Sequence, residues 1–345
     1  MNPATPHHAG IPPIPDYPAT PTVGDFAEHE LIATITDIAP SARNGDDAAV
    51  IDLPNPAARS VITTDTLVCG RHFRHDFSTA YEVGHKAVVQ NVADIVAMGA
   101  TPQALLLALA LPRTLPIAWI TDFASGIAAM LDHYAIELVG GDITISDTLV
   151  IGVTATGTIT GPKPPLTVTG ARAGQHLLAS GAIGHSAAGL DLLSHFGRNH
   201  IPPALAPLVT HHCAPRPAPG RGAVARATGA SAMTDNSDGL IRDLTVIATR
   251  SGITIELYPD ALQPDPLLQH AATLLGKDPQ TWTLHGGEDH TLLAVSPTEQ
   301  THGFRVIGKT LPKGQHPILL NGKPPASTGG WDSIRSTSHT QTPHR

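Results

Sequence analysis

Seven aspartates in this chain have neighbours or placements that suit chemistry better than solvation. They are Asp46 and Asp47 in Asn44-Gly45-Asp46-Asp47, Asp65 in Thr63-Thr64-Asp65-Thr66, Asp94, Asp142 in Gly140-Gly141-Asp142, and Asp235 and Asp238 in Asp235-Asn236-Ser237-Asp238-Gly239. Gly286-Gly287-Glu288-Asp289 adds two more carboxylates. The expectation is that these groups stand where strands and helices end, at the mouths of glycine turns. Hydrated Mg²⁺ takes oxygen ligands, and glycine lets backbone approach an anion, so the pattern suits a metal that bridges phosphate oxygens. A single aspartate beside glycine is usually a turn residue. Several of them at the ends of apolar segments would cost too much desolvation unless cations or donors compensate. Phosphoryl transfer from a nucleotide is the chemistry such metals serve, because they neutralise and align the reacting groups.

A competing phosphate motif is present in form only. Gly303-Phe304-Arg305-Val306-Ile307-Gly308-Lys309-Thr310 fits the P-loop expression. Its intervening residues are bulky and β-forming, and Leu311-Pro312-Lys313-Gly314 follows where a helix should begin. The segment reads as a strand entering a turn, with Lys309 solvated.

Composition narrows the classes. The chain has 345 residues, enough for two domains, with 41% hydrophobic residues and a net charge of −8. That charge gives no basic stripe, so nucleic-acid binding is disfavoured. Ala104 to Leu111 is the longest apolar run, well short of the roughly 20 residues of a membrane helix. No membrane association is expected. Residues 1–22 are Pro-rich and lack the layout of a signal peptide, so they read as a disordered tail on a cytoplasmic protein. Cys69 and Cys213 are too few for a disulfide framework or a four-cysteine zinc site. The 20 histidines read mostly as exposed polar positions, with His72 set apart.

The elements that must position these groups follow from periodicity. Asp25 to Glu28 has the form of a capping box before a helix that Pro40 stops. Ala48 to Leu53 and Ser60 to Thr64 read as a strand pair. Tyr81 to Met98 is helical, with Gly99 as a left-handed cap and Asn91 and Asp94 looking out from one side. Gln103 to Leu111 is a strand, Pro116 to His133 a helix, Ile136 to Val139 a strand opening into Gly140-Gly141-Asp142, and Thr148 to Ile159 a long strand. Gly161-Pro162-Lys163-Pro164-Pro165 breaks the pattern. Beyond it come a strand at His176 to Ser180, a helix from Ser186, a Pro/His-rich loop from Ile201 to Gly220, and a strand at Ser231 to Thr234. A helix from Asp238 and strands near Ile253, Thr291 and Phe304 complete the series. Strands separated by helices give an α/β (α+β mixed) class.

In order along the chain, these segments resemble the thiamine-monophosphate kinases, within the aminoimidazole ribonucleotide synthetase-like superfamily. The resemblance runs from Asn44-Gly45-Asp46-Asp47 through Thr63-Thr64-Asp65-Thr66-Leu67-Val68 with His72-Phe73, and through Asn91-Val92-Ala93-Asp94 to Met98-Gly99-Ala100. It continues through Gly140-Gly141-Asp142, Asp235-Asn236-Ser237-Asp238-Gly239-Leu240, Gly286-Gly287-Glu288-Asp289 and Gly330-Trp331-Asp332. It implies a two-domain fold: a tail over 1–22, an ATP- and Mg-binding dimerisation domain over 23–161, and an α/β domain over 162–340. It also implies a homodimer whose first domains build a β-barrel, with ATP in a cleft at that junction. The reaction implied is transfer of the ATP γ-phosphoryl to thiamine monophosphate. Carried over by motif, Asp47, Thr63, Thr64, Asp65, Asp94, Asp142, Asp235 and Asp238 match Mg²⁺ positions, of which Asp65, Asp142 and Asp238 are the catalytic set. Gly141, Asp142 and Ser237 match nucleotide contacts, and His72, Glu288 and Trp331 thiamine-side contacts. A non-catalytic nucleotide-binding relative, or another ATP-using enzyme of the superfamily such as a purine-biosynthesis synthetase, is the alternative.

The chain departs from the pattern in three places. Val168 stands where an arginine usually reaches the nucleotide, with Arg172 four residues on as a substitute. Asn236 replaces Ile or Leu, and His290-Thr291 replaces Tyr-Glu.

Overall fold

The computed structural model describes residues 14, 17, 18, 20–43, 48–327, 329 and 330. Asp46, Asp47 and Trp331 lie outside the described residues. Two sheets organise the rest. The first contains β1 (Arg59–Val68), β2 (Thr101–Leu111), β3 (Glu137–Ile145) and β4 (Val150–Ile159) in the order β1-β4-β2-β3. β2 and β3 are parallel and the other pairs antiparallel.

The helices α2 (Ala80–Ala97) and α3 (Ile117–Tyr134) cover one face of this sheet, and α1 (Glu28–Ile38) packs on α3. α2 starts cleanly because the Thr79 side chain accepts from Glu82 N while Glu82 bonds back to Thr79 N. It ends at Gly99, whose φ of +73° is the left-handed conformation that glycine adopts without strain. Its crossing with α3 is set by two glycines. A Cβ on Gly84 would lie 2.1 Å from Phe123 O, and one on Gly126 would lie 1.9 Å from Tyr81 O, so backbone meets backbone. Little of α2 then reaches solvent, and its polar residues must find partners inside.

The second sheet has the order β10-β7-β9-β5-β8-β6. Its strands are β5 (His176–Ser180), β6 (Ala232–Asp235), β7 (Ile253–Leu257), β8 (Leu292–Ser296), β9 (Arg305–Pro312) and β10 (Ile318–Leu320). α4 (His185–Phe196), α5 (Ala206–Cys213), α8 (Pro266–Leu275) and α9 (Pro279–His285) share a separate apolar cluster around Leu192, Leu208 and Trp282. α6 (Arg221–Thr228) packs on α2, and α7 (Leu240–Ser251) lies against β6 and β7. The core of the first half runs on through Ala225, Met233, Leu292 and Ala294, so the halves meet through apolar packing.

Several local expectations need correction. The capping interactions lie at Thr22 with Asp25 and at Ala27 with Glu30, since α1 begins only at Glu28. Residues 48–53 form no strand, and β1 pairs with β4 instead. The Pro/His-rich stretch contains α5, whose Leu208 and Val209 are buried despite the flanking prolines. β3 continues through Gly140-Gly141-Asp142 with a one-residue bulge, so no turn opens there. Gly141 is needed for a close approach, because a Cβ there would stand 2.0 Å from Leu107 O, just after a bulge in which Val139 and Gly140 of β3 oppose Leu106 alone. His75, His85, His212 and His290 are buried rather than exposed. The P-loop look-alike lies mostly in β9, and Lys309 pairs with Glu256 at 3.1 Å. Among the described residues, no helix is long and apolar enough to cross a membrane.

Candidate active site

Strand alternation sorts the matched residues of β1 onto two faces. Thr63 and Asp65 face α2, where Thr63 Oγ1 donates to Asp94 Oδ2 at 2.7 Å and Asp65 N donates to Asn91 Oδ1 at 3.0 Å. Asn91 and Asp94 therefore look into the sheet, not out from the helix. Asn91 holds its orientation by donating from Nδ2 to Ala87 O. Asp235, the last residue of β6, reaches the same region from the second half. Burial, then Asp235, pushes Asp94 up to about 6, and the same causes raise Asp65. Three carboxylates thus crowd one cleft, opposed chiefly by the His290 imidazole, whose Nδ1 lies 3.1 Å from Asp235 Oδ2.

Glu288 lies beside this cleft on a tightly strapped loop. Its backbone has φ +60° and that of His290 φ +51°, left-handed conformations that cost strain in non-glycine residues. The loop is fixed by Glu288 N donating to Ser237 O at 2.9 Å and His290 N donating to Asn236 O at 3.2 Å. Asp289 accepts from Gly184 N at 2.6 Å and Ser186 N at 2.8 Å, capping α4. Lys86 Nζ stands 3.0 Å from Glu288 Oε1. His72, Phe73, Phe77, Leu190, His212, Ser237 and Glu288 line one hollow, which brings together the nucleotide-side Ser237 and the thiamine-side His72 and Glu288. His72 Nδ1 accepts from Val68 N at 3.0 Å, and burial lowers its pKa.

Asp238 precedes α7, where Asp243 Oδ2 accepts from Asp238 N and Gly239 N, both at 3.1 Å. Gly330 docks against Asp238 O and Arg242. Asp142 is not brought to the other carboxylates. Thr66, Gly152, Ala108 and Asp142 stand in one row across the sheet, so β1 and β3 are three strand spacings, roughly 14 Å, apart. Asp142 also lies on the face opposite Asp65, as does Thr64, and both line a hollow on the sheet's uncovered side that the Gly141 backbone borders too. Among the described residues no three His, Cys, Asp or Glu side chains close on one point that could hold a metal ion.

The sequence was compared with known proteins against this geometry. Residues 45–159 match the family model described as AIR synthase related protein, N-terminal domain. A thiamine-monophosphate kinase of Corynebacterium glutamicum is 52% identical over 315 residues, covering 91% of this chain and 95% of its own. The chain belongs to the thiamine-monophosphate kinase family. A family member from Mycobacterium tuberculosis is 41% identical over 291 residues, covering 84% of this chain and 85% of that one. Among solved structures, AaThiL complexed with AMPPCP and TMP superposes with a TM-score of 0.73 at 30% identity, covering 90% of this chain and 98% of that one.

The family's departures in this chain now have locations. The segment holding Val168 runs antiparallel beside β6, with Thr167 O accepting from Met233 N and Gly170 against Ser231 O. Val168 packs on the second core, and Arg172 lies beyond the end of β6 that is remote from Asp235, so it is poorly placed to replace an arginine at position 168. Asn236 donates to Asp289 Oδ2 at 3.3 Å and His290 meets Asp235, so two departures adjoin each other across the strapped loop. Sequence reasoning passed over Lys86, Asn91's role toward Asp65, His212 and Asp243. Lys86 did carry a signal, a lone cation on a helix apolar nearly all round.

Proposed function

We propose that this chain transfers the γ-phosphoryl group of ATP to the phosphate of thiamine monophosphate, giving thiamine diphosphate and ADP, with Mg²⁺ at its carboxylates. The observation that carries this reading is the crowding of Asp65, Asp94 and Asp235 beside the hollow lined by His72, Ser237 and Glu288, in a chain of this family. Crowded carboxylates repel a triphosphate, and burial makes that repulsion worse. A divalent cation removes both objections. The carboxylates do not form a closed cage, which suits Mg²⁺, since it keeps several waters and uses substrate phosphates as ligands. Asp65, Asp94 and Asp235, with Thr63, would hold it. When bound, the ion neutralises charge on the transferring phosphoryl group. Asp47 and Asp238 are further candidates, and Thr64, Gly141 and Asp142 fit a nucleotide on the uncovered face.

The acceptor phosphate is already ionised at neutral pH, so the protein need supply no strong base. Its work is positioning. Phe73, Phe77 and Leu190 give the hollow apolar walls for a heteroaromatic body, while Glu288 offers negative charge to its cationic part. On this reading 23–161 and 162–340 are the two domains, the protein is cytoplasmic, and Trp331 is a thiamine-side contact by its place in the motif.

The test is incubation with ATP, Mg²⁺ and thiamine monophosphate, followed by product separation. Thiamine diphosphate with stoichiometric ADP is expected. Nucleotide binding without turnover, or ADP formed only with formylglycinamidine ribonucleotide, overturns the reading.

A further inference from the structure

Lys86 is a lysine with only 2% of its side chain exposed, on a helix of the first half, and its ion-pair partner is on a loop of the second. Lysine is almost never buried without a partner, because desolvation disfavours its charged form. Here the partner is Glu288 Oε1 at 3.0 Å, and the pair joins the halves of the molecule at the edge of the hollow.

The two oxygens of Glu288 are not equivalent. Oε1 is taken by Lys86, while Oε2 stands 3.6 Å from His212 Nδ1, beyond hydrogen-bond reach. His212 Nδ1 is engaged by Ser186 Oγ at 3.0 Å. A third of the Glu288 side chain remains exposed, and the residue lines the hollow beside Phe73, Phe77 and Leu190. Its backbone is held at φ +60° by the Ser237 contact, so the side chain has one direction in which to leave the loop. A carboxylate in such a place stays ionised only if a cation stands behind it.

We propose that Lys86 is a positioning residue for the thiamine-phosphate site: its ammonium fixes the Glu288 carboxylate in its charged form with one oxygen turned to the hollow, to receive the cationic part of the substrate. The inference rests on the kinase reading above for the identity of that substrate. The charged and titratable groups facing Glu288 are Lys86 from α2, His72 just after β1, His212 from α5, and His290 on its own loop. Of these Lys86 comes nearest, with Nζ 3.0 Å from Oε1. It holds Glu288 well below the usual carboxylate range against the opposing effect of burial.

The experiment compares the parent with Lys86→Met and Lys86→Arg in steady-state kinetics and infrared spectroscopy. Lys86→Met is expected to raise the KM for thiamine monophosphate about tenfold or more, with kcat and the ATP KM within about threefold of the parent. The raised KM should fall again as pH rises and Glu288 regains its charge. Lys86→Arg should restore most of the affinity. At pH 7, Lys86→Met should show a protonated carboxylic-acid band additional to those of the parent and lost again in the double variant Lys86→Met/Glu288→Gln. An unchanged KM, an equal loss for both substrates, or no additional acid band overturns the proposal, and a merely architectural pair would lower thermal stability with KM unmoved. If Lys86→Met does not fold, Lys86→Gln carries the same expectations. A parent without thiamine-phosphate turnover sinks the kinase reading, and the infrared band then decides the Lys86 to Glu288 relation by itself.

Discussion

At the scale of single residues, the cleft is defined by charge it does not balance. Asp65 accompanies Asp94 and Asp235 there, so Asp65→Asn keeps the shape but removes charge a metal would use. Turnover should fall by roughly 10²-fold or more, with the fold little changed. Unchanged turnover at saturating Mg²⁺ would take Asp65 out of the catalytic set. Asp94 carries a second prediction. Its folded pKa of about 6 lies above the ordinary 3.8, so the folded chain holds that proton more tightly than the unfolded chain does. This contribution to stability is fully present below the unfolded pKa and is lost as pH rises through the folded one. In thermal melts without Mg²⁺, the parent should lose stability relative to Asp94→Asn between about pH 4 and pH 6, and Mg²⁺ should shrink that difference. Parallel melting curves for the two proteins across that window would show that Asp94 ionises freely.

Among the elements, α2 bears most of the site's polar scaffolding, supplying Lys86, Asn91 and Asp94 from a helix packed against both the sheet and α3. Its position depends on Gly84 and Gly126. Gly126→Ala would put a methyl 1.9 Å from Tyr81 O, so the helices must part, with an expected loss of about 2 to 3 kcal/mol in urea unfolding. A loss under about 0.5 kcal/mol would mean that the crossing relaxes freely. How far such elements can be read from sequence follows from what sets them. α2, β2, α3 and β4 were legible because their apolar periods run long and their ends carry caps. β3 was misjudged at Gly140-Gly141 because glycine signals a turn and a close strand approach alike, and only the neighbour Leu107 O distinguishes them. α5 was hidden because prolines flank eight residues whose burial depends on α4, remote from anything local. The motif aspartates were legible by order, but their partition onto two faces of one sheet was not, since it depends on strand pairing. The Lys86 to Glu288 pair escaped for a related reason: its members are 202 positions apart, and no local pattern joins them.

For the whole molecule, the decisive feature is the face of the first sheet that no helix covers. Ile62 is 66% exposed and Leu106 41%, both on this face, and Ala49 and Ile51 border the hollow beside Leu106. Monomeric proteins rarely leave contiguous apolar surface of this kind open. Gly141, Asp142, Thr64 and Thr154 lie around the same hollow, so polar groups of the proposed nucleotide site share the uncovered face. A second copy laid on this face would bury the apolar side chains and enclose those polar groups in a barrel. Nucleotide binding and self-association should therefore fail together. Ile62→Glu combined with Leu106→Glu places like charges on both copies of a self-complementary patch, which should turn a dimer into a monomer in sedimentation. The ATP KM should rise by about tenfold or more in the same variant, while the far-ultraviolet circular dichroism stays unchanged, because these side chains contribute little to the chain's own core. A parent that sediments as a monomer, or a monomeric variant with an unaltered ATP KM, would show that one chain builds the nucleotide site alone. Asp142, about 14 Å from the Asp65 cleft and on the opposite face, would then need a role apart from phosphoryl transfer.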